Sequence, residues 1–330
     1  MSGSSGWVTS LLARCSPAQT GRILPWQDPR MDDRARAAAY ASLEGLAFGD
    51  AFGERFFRLF RPEAEARQLI AERRTPPDPH WHWTDDTAMA LALLRVLRKH
   101  GEVELQPLAR EFAETYKADP GRGYGSGMHA LLPRVAASPD EWAELASALF
   151  GGEGSLGNGA AMRVAPLGAW FHDDLDRVVE QAARSARVTH AHPEGIAGAV
   201  AVAVAAALSA RGRAPELTAV AARTPDGPVR EGLLRAAGLP PETTPEQAAE
   251  ILGNGRRIRA DDTVPFALWC AARHPGDLES ALWTTAAGLG DVDTTCAIAG
   301  GVVGARTGVE ALPADWALRR ESLPVWIGEL

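Results

Sequence analysis

Stretches rich in Ala, Leu, Glu and Arg alternate along this chain with short breaks carrying Pro and Gly, and strand formers such as Ile, Thr and Tyr are sparse. Summed over windows of this composition, backbone propensity favours helix. The pattern predicts helices near 33–49, 63–73, 85–99, 105–117, 140–150, 160–170, 175–188, 194–210, 215–223, 228–237, 245–253, 263–273, 277–289 and 294–306. Breaks such as Pro76-Pro77-Asp78-Pro79 and Gly151 to Gly159 are expected punctuation between helices. The longest apolar stretch, Gly195 to Ala210, is mostly Ala and falls short of the roughly 20 residues a membrane span needs, so it reads as a buried helix.

Residues 1–30 hold Gly and Ser, then Leu11 and Leu12 near Arg14, with no apolar stretch long enough for a signal peptide. They are expected to form a loosely ordered extension. Asp32 and Asp33 after Met31 resemble a helix cap and first turn, so residues 31–330 are taken as the folded domain.

Composition narrows the functional classes. With 330 residues, 46% of them apolar, the chain can bury a substantial core. A formal charge of −8 without a basic patch argues against general nucleic-acid binding. Cys15, Cys270 and Cys296 lack metal-like or disulfide-like spacing, which suits a reducing compartment. A cytoplasmic monomer without membrane association is expected.

Two acidic motifs carry the chemistry. Thr84-Asp85-Asp86 precedes a helix ending in Arg95, Arg98 and Lys99, and Asp291-Val292-Asp293-Thr294 precedes a helix of small residues including Ala297, Gly300, Gly301 and Gly304. Each motif alone reads as an ordinary capped helix start. Together they would set carboxylates against one another in a low-dielectric site, an arrangement that calls for a cation. The donors are all oxygen, which is the chemistry of Mg²⁺ or Mn²⁺ and not Zn²⁺. A pair of such ions roughly 3.5 to 4 Å apart would bind adjacent hydroxyls and activate a water. Because the motifs lie far apart in sequence, sharing a site requires both ends of the chain to pack together. The expected architecture is therefore all-α, a compact single-domain orthogonal helical bundle around a central dinuclear metal site.

Other segments suggest a ligand groove. Gly151 to Gly159 leads toward a predicted helix near Ala160, where backbone N–H groups at a positive helix end would suit a diphosphate. A bare glycine-rich turn is the alternative. The segment lacks the Gly-Lys-Ser/Thr ending of a Walker loop and the surrounding strands of a Rossmann unit. Gly123-Tyr124-Gly125-Ser126-Gly127 offers a second loop with one aromatic ring. His190 and His192, just before Pro193, could donate to a phosphate or cap a helix end. Of Trp81, His82 and Trp83, a ring could stack on a base, although core packing suits at least one Trp. Asp261 and Asp262 read as a plain cap.

These motifs, with Gly45-Leu46-Ala47-Phe48-Gly49-Asp50-Ala51-Phe52-Gly53 and Gly157-Asn158-Gly159-Ala160-Ala161-Met162-Arg163, resemble the ADP-ribosylglycohydrolase family over roughly residues 35–310. The most specific segment is Gly290-Asp291-Val292-Asp293-Thr294-Thr295. The resemblance implies an all-helical hydrolase that uses Mg²⁺ or Mn²⁺ to release ADP-ribose from a modified protein side chain or a small conjugate. It implies Thr84, Asp85, Asp86, Asp291, Asp293 and Thr294 as metal ligands. It also implies substrate contacts at Gly157, Asn158, Gly159 and Met162 and at Tyr124, Gly125, Ser126 and Gly127, with His190 and His192 as further candidates from their position alone. Attack would occur at the anomeric carbon of the distal ribose, with Asp291 or Glu54 accepting the proton. Many members carry a glutamate several residues after Gly-Asp-Ala-x-Gly, whereas here Glu54 follows Gly53 directly and Arg55-Phe56-Phe57 come next. The alternatives are a metal-dependent phosphohydrolase cutting a nucleotide diphosphate, and a catalytically silent ADP-ribose-binding relative.

Overall fold

The computed structural model describes residues 33–57 and 60–329, so the expectation for residues 1–30 lies outside the described residues. Among the described residues there is no strand, only isolated bridges pairing Trp81 with Arg320 and Gly157 with Arg259. The helices are α1 Asp33–Glu54, α2 Glu63–Ala71, α3 Asp85–His100, α4 Leu105–Ala118, α5 Ser126–Ala137, α6 Trp142–Ser147, α7 Leu149–Gly152, α8 Ala165–Trp170, α9 Leu175–Arg187 and α10 Pro193–Ala210. They continue with α11 Leu217–Ala221, α12 Pro228–Ala237, α13 Pro245–Leu252, α14 Ala260–Arg273, α15 Leu278–Ala286, α16 Val292–Thr307 and α17 Ala314–Arg319.

Local signals explain many ends. Asp174, Thr244 and Asp277 cap α9, α13 and α15 through side-chain oxygens, and Thr244 with Gln247 forms a reciprocal capping box. Gly101 closes α3 in the left-handed conformation. Helix α5 was not expected, because Gly123 to Gly127 and Pro133 read as breakers. Its buried Met128, Leu131, Leu132 and Val135 nonetheless follow helical spacing. Trp316, buried on α17, holds another unexpected helix against the core. The helix expected over 160–170 is instead a 3₁₀ turn at Asn158–Ala160 followed by α8.

The core seam joins α1 to α16. Gly45, Gly49 and Gly53 share one face of α1, and a Cβ added to them would fall 2.3 Å from the Gly300 carbonyl oxygen, 2.0 Å from that of Cys296 and 2.4 Å from that of Val292. Helix backbones therefore touch directly, in antiparallel order. This contact carries α1 through Glu54, beyond its expected end, and sets its C-terminus beside the N-terminus of α16. Helix α10 is long and apolar enough by length and composition to cross a membrane, yet it is largely buried among α8, α9, α14 and α16.

Candidate active site

The acidic motifs meet because α3 is fastened to the α1–α16 seam. Asp50 on α1 is fully buried, and its carboxylate accepts from the Thr84 N–H at 3.0 and 2.9 Å, the Thr87 N–H at 3.1 Å and the Thr87 hydroxyl at 2.6 Å. Burial pushes its pKa up to about 6 against the pull of these bonds. Asp50→Asn leaves one carbonyl oxygen where a carboxylate served three donors. The expected loss is about 1–3 kcal/mol with faster amide exchange at Thr84 and Thr87, read by urea melts and hydrogen-exchange mass spectrometry. Unchanged exchange there would refute the anchoring role.

Thr84 caps α3, its Oγ1 accepting from the Asp86 N–H at 3.3 Å. Asp291 precedes α16 but makes no side-chain cap. Its Oδ2 instead accepts from Asn158 Nδ2 at 2.6 Å, and Asn158 also donates to Thr263 at 3.0 Å. Gly290 supports this turn at φ 80°, where a Cβ would strike the Asn254 carbonyl oxygen at 2.2 Å.

The resulting cluster is electrostatically crowded. Asp85 is pushed up to about 8 by burial and then by the charges of Asp50 and Asp291. Asp86 is held well above the usual carboxylate range by burial and the charges of Asp50, Asp293 and Asp85. Asp293 is raised likewise by burial, Asp291, Glu54 and Asp50. Glu54 rises to about 7 through burial and Asp50, with Arg55 opposing. Asp86 Oδ2 and Asp293 Oδ1 are buried without a hydrogen-bond partner. Buried carboxylate oxygens without a partner, crowded by like charge, suit hard divalent cations. Among the described residues no three His, Cys, Asp or Glu side chains already stand at ligating spacing. The fit therefore rests on donor chemistry and unpartnered oxygens.

These groups floor a cavity of about 590 Å³. Asp85, Asp86, Asp291, Asp293 and Thr294 line it, as do Gly157, Asn158, Gly159, Met162, Gly125, Ser126, Gly127 and His190. A second cavity of about 780 Å³ beyond the Asn254–Arg257 segment is lined by mixed charges, including Arg67, Glu231, Arg235 and Glu246, and lacks the acidic cluster. The acidic cluster, and not cavity size, marks the candidate site.

Several expectations need correction. Thr84 and Glu54 stand against the acidic cluster and not on the cavity wall, Thr84 Oγ1 donating to Asp86 Oδ1 at 3.4 Å and the charge of Glu54 helping to raise Asp293. Tyr124 is buried with its ring edge-on to Tyr116 at 5.0 Å, and it is its neighbours Gly123 and Gly125 that line the cavity. His192 caps α10, its Nδ1 accepting from the Glu194 N–H at 3.0 Å. Asn158–Ala160 is a 3₁₀ turn and supplies no long-helix dipole for a diphosphate. Trp81 is buried against Phe52 and Trp316, and the Arg122 guanidinium covers Trp83 at 3.7 Å. Asp262 is no cap: it is buried and accepts from Arg257, while Asp261 pairs with Arg259.

The structure also adds residues to the cavity that sequence reasoning missed. Phe150 stands at the rim, 60% exposed, with φ 53°. Ile258, also left-handed and half exposed, lines the cavity from another segment. Nothing local marks either. Phe57 lines the wall as well. Asp50 did carry a signal, as an acid within a glycine-spaced helix face.

Comparison with known proteins follows the same lines. A family model described as ADP-ribosylglycohydrolase matches residues 29–329. ADP-ribosylhydrolase ARH3 of Bos taurus is similar at 34% identity over 270 residues, covering 71% of this chain and 73% of that protein. ADP-ribosylarginine hydrolase Tri1 of Serratia proteamaculans is similar at 27% identity, covering 86% of this chain and 74% of that protein. A solved structure described as an ADP-ribosylglycohydrolase-related protein complex superposes with a TM-score of 0.60 at 25% identity, covering 90% of this chain and 95% of its own.

Proposed function

The chain belongs to the ADP-ribosylglycohydrolase family, and from that premise we propose that it is a divalent-cation-dependent hydrolase releasing ADP-ribose from a modified protein side chain or small conjugate. Its relatives are named ADP-ribosylhydrolases, which supports action on an ADP-ribose glycosidic bond. The observation that carries the reading is the floor of the cavity, where Asp86 and Asp293 each present a buried carboxylate oxygen with no partner.

Asp85, Asp86, Asp291, Asp293 and Thr294 would hold two cations, Mg²⁺ or Mn²⁺, with Thr84 shaping the first motif as its cap. Such ions, when bound, neutralise the cluster and lower the pKa of water near the distal ribose. Asn158 fixes the orientation of Asp291 and leaves Oδ1 free of that bond. For proton acceptance, position ranks before pKa, which favours Asp291 on the wall over Glu54. Phe57 presents an apolar ring to the cavity where the family pattern leads to a glutamate.

Phe150 offers an aromatic face at the rim for the adenine. Phe150→Ala is expected to weaken ADP-ribose binding about tenfold while leaving ribose 5-phosphate binding unchanged, as read by calorimetry. Equal affinity of both ligands for variant and parent would refute the stacking role.

The decisive experiment incubates the protein with ADP-ribosylated arginine, serine, glutamate and DNA substrates and O-acetyl-ADP-ribose, with Mg²⁺, Mn²⁺ or chelator, and identifies products by mass spectrometry. Free ADP-ribose released only with a divalent cation is expected. AMP or phosphate would assign a phosphohydrolase, and no product from any substrate would end the proposal.

A further inference from the structure

Behind the Gly157–Gly159 turn lies Arg163, a fully buried arginine. Its guanidinium donates to the Gly159 carbonyl at 3.0 Å, the Ser185 carbonyl at 3.1 Å and the Thr189 hydroxyl at 2.9 Å, and it sits 4.4 Å above the Phe112 ring. A guanidinium has only donors, so Thr189 Oγ1 must accept from it. Thr189 keeps one hydroxyl proton for another partner. The ring nitrogen within its reach is His190 Nδ1, 2.8 Å away.

Burial and the charge on Arg163 hold His190 down to about 3, so one ring nitrogen alone carries a proton near neutral pH. If that proton sat on Nδ1, the buried Thr189 hydroxyl would have no acceptor among these contacts, an arrangement that folded proteins avoid. The proton therefore belongs on Nε2. His190 lines the cavity, and its Nε2 lies 3.0 Å from where a Cβ on Gly159 would stand and 3.3 Å from one on Gly157. The glycines leave room for that edge of the ring.

We propose that Thr189, itself held by Arg163, is a positioning residue that fixes His190 as the Nε2–H tautomer and so aims a hydrogen-bond donor into the ligand cavity. The acceptor it serves is a phosphate or ribose oxygen of ADP-ribose, a step that rests on the functional reading above. The tautomer itself does not depend on that reading.

The test uses full-length protein labelled with [¹⁵N]histidine, with the His190 signals assigned by their loss in His190→Gln. Long-range ¹⁵N–¹H spectra of the parent protein are expected to show a protonated Nε2 and an accepting Nδ1. Thr189→Val should lose that preference and bind ADP-ribose about tenfold more weakly, raising KM more than it lowers kcat, and Thr189→Ser should restore both. A parent ring protonated on Nδ1, or a Thr189→Val protein that keeps the Nε2–H form, would overturn the proposal. The parent measurement needs no variant, so misfolding of Thr189→Val leaves the proposal open to refutation. An Nε2–H ring in a protein that binds no ADP-ribose would support the relay and count against the cavity's assigned ligand.

Discussion

Asp293→Asn is expected to cut divalent-cation-dependent release of ADP-ribose by more than 100-fold, since loss of even an outer-shell partner of a metal site typically costs 10- to 100-fold. The same substitution should leave the cation-free fold intact. Asp293 Oδ1 has no partner, and burial together with Asp291, Glu54 and Asp50 holds the carboxyl well above its ordinary range. A carboxyl whose folded pKa is raised binds its proton more tightly when folded. Its penalty is absent below the unfolded pKa and grows as pH rises through and above the ordinary carboxylate range. Chelator-treated parent protein should therefore lose stability as pH rises from acidic to neutral, and Asp293→Asn should lose less. Thermal melts in chelator over that range, repeated with Mg²⁺ or Mn²⁺, check the sign, and the cation should raise the parent's Tm more than the variant's. A variant that unfolds in chelator would mark Asp293 as structural, and one that keeps its turnover would remove it from the site.

Gly49→Val is expected to prevent folding, and Gly49→Ala to cost about 3 kcal/mol or more, at or beyond the upper end of ordinary overpacking. In a free helix Gly→Ala would stabilise by about 1 kcal/mol, so the sign is decided by the α1–α16 contact. A new Cβ at Gly49 meets the Cys296 carbonyl oxygen at 2.0 Å and its carbon at 2.5 Å. Both are backbone atoms of a buried helix, and neither can rotate away. Relief would require α1 and α16 to part along the seam that sets Glu54 beside the N-terminus of α16. Gly276→Ala, where an added Cβ meets nothing within 4 Å, is the control and should change stability by less than about 0.5 kcal/mol. Urea unfolding followed by circular dichroism measures all three. A Gly49→Ala protein as stable as its parent would show that the seam tolerates separation.

The helical class was legible in the chain because residues such as Leu91, Leu94 and Leu97 on α3 and Leu108 and Phe112 on α4 repeat at helical spacing. The acidic motifs were legible as a pair because carboxylates of one charge, repeated before two helices, call for a cation between them. Helix α5 was missed because Gly and Pro were weighed as local breakers. Burial of Met128, Leu131, Leu132 and Val135 outweighed them. The same override, reached through backbone contact, carried α1 through three glycines to Glu54.

The sequence by itself determined the helical class, the family and the oxygen-only side chains of the two acidic motifs, since these follow from residue type and short-range order. Only the tertiary structure decided which side chains face one another. Asp50 becomes an anchor because the glycine seam buries it beside Thr84 and Thr87, and Tyr124 and His192 leave the site because packing and capping turn them elsewhere. Phe150 and Ile258 reach the rim through left-handed turns that non-glycine residues rarely adopt and that no local pattern announces. Thr189 gains a direction only from a guanidinium 26 positions earlier in the chain. Such relations depend on distances between segments remote in sequence, which residue order does not encode locally.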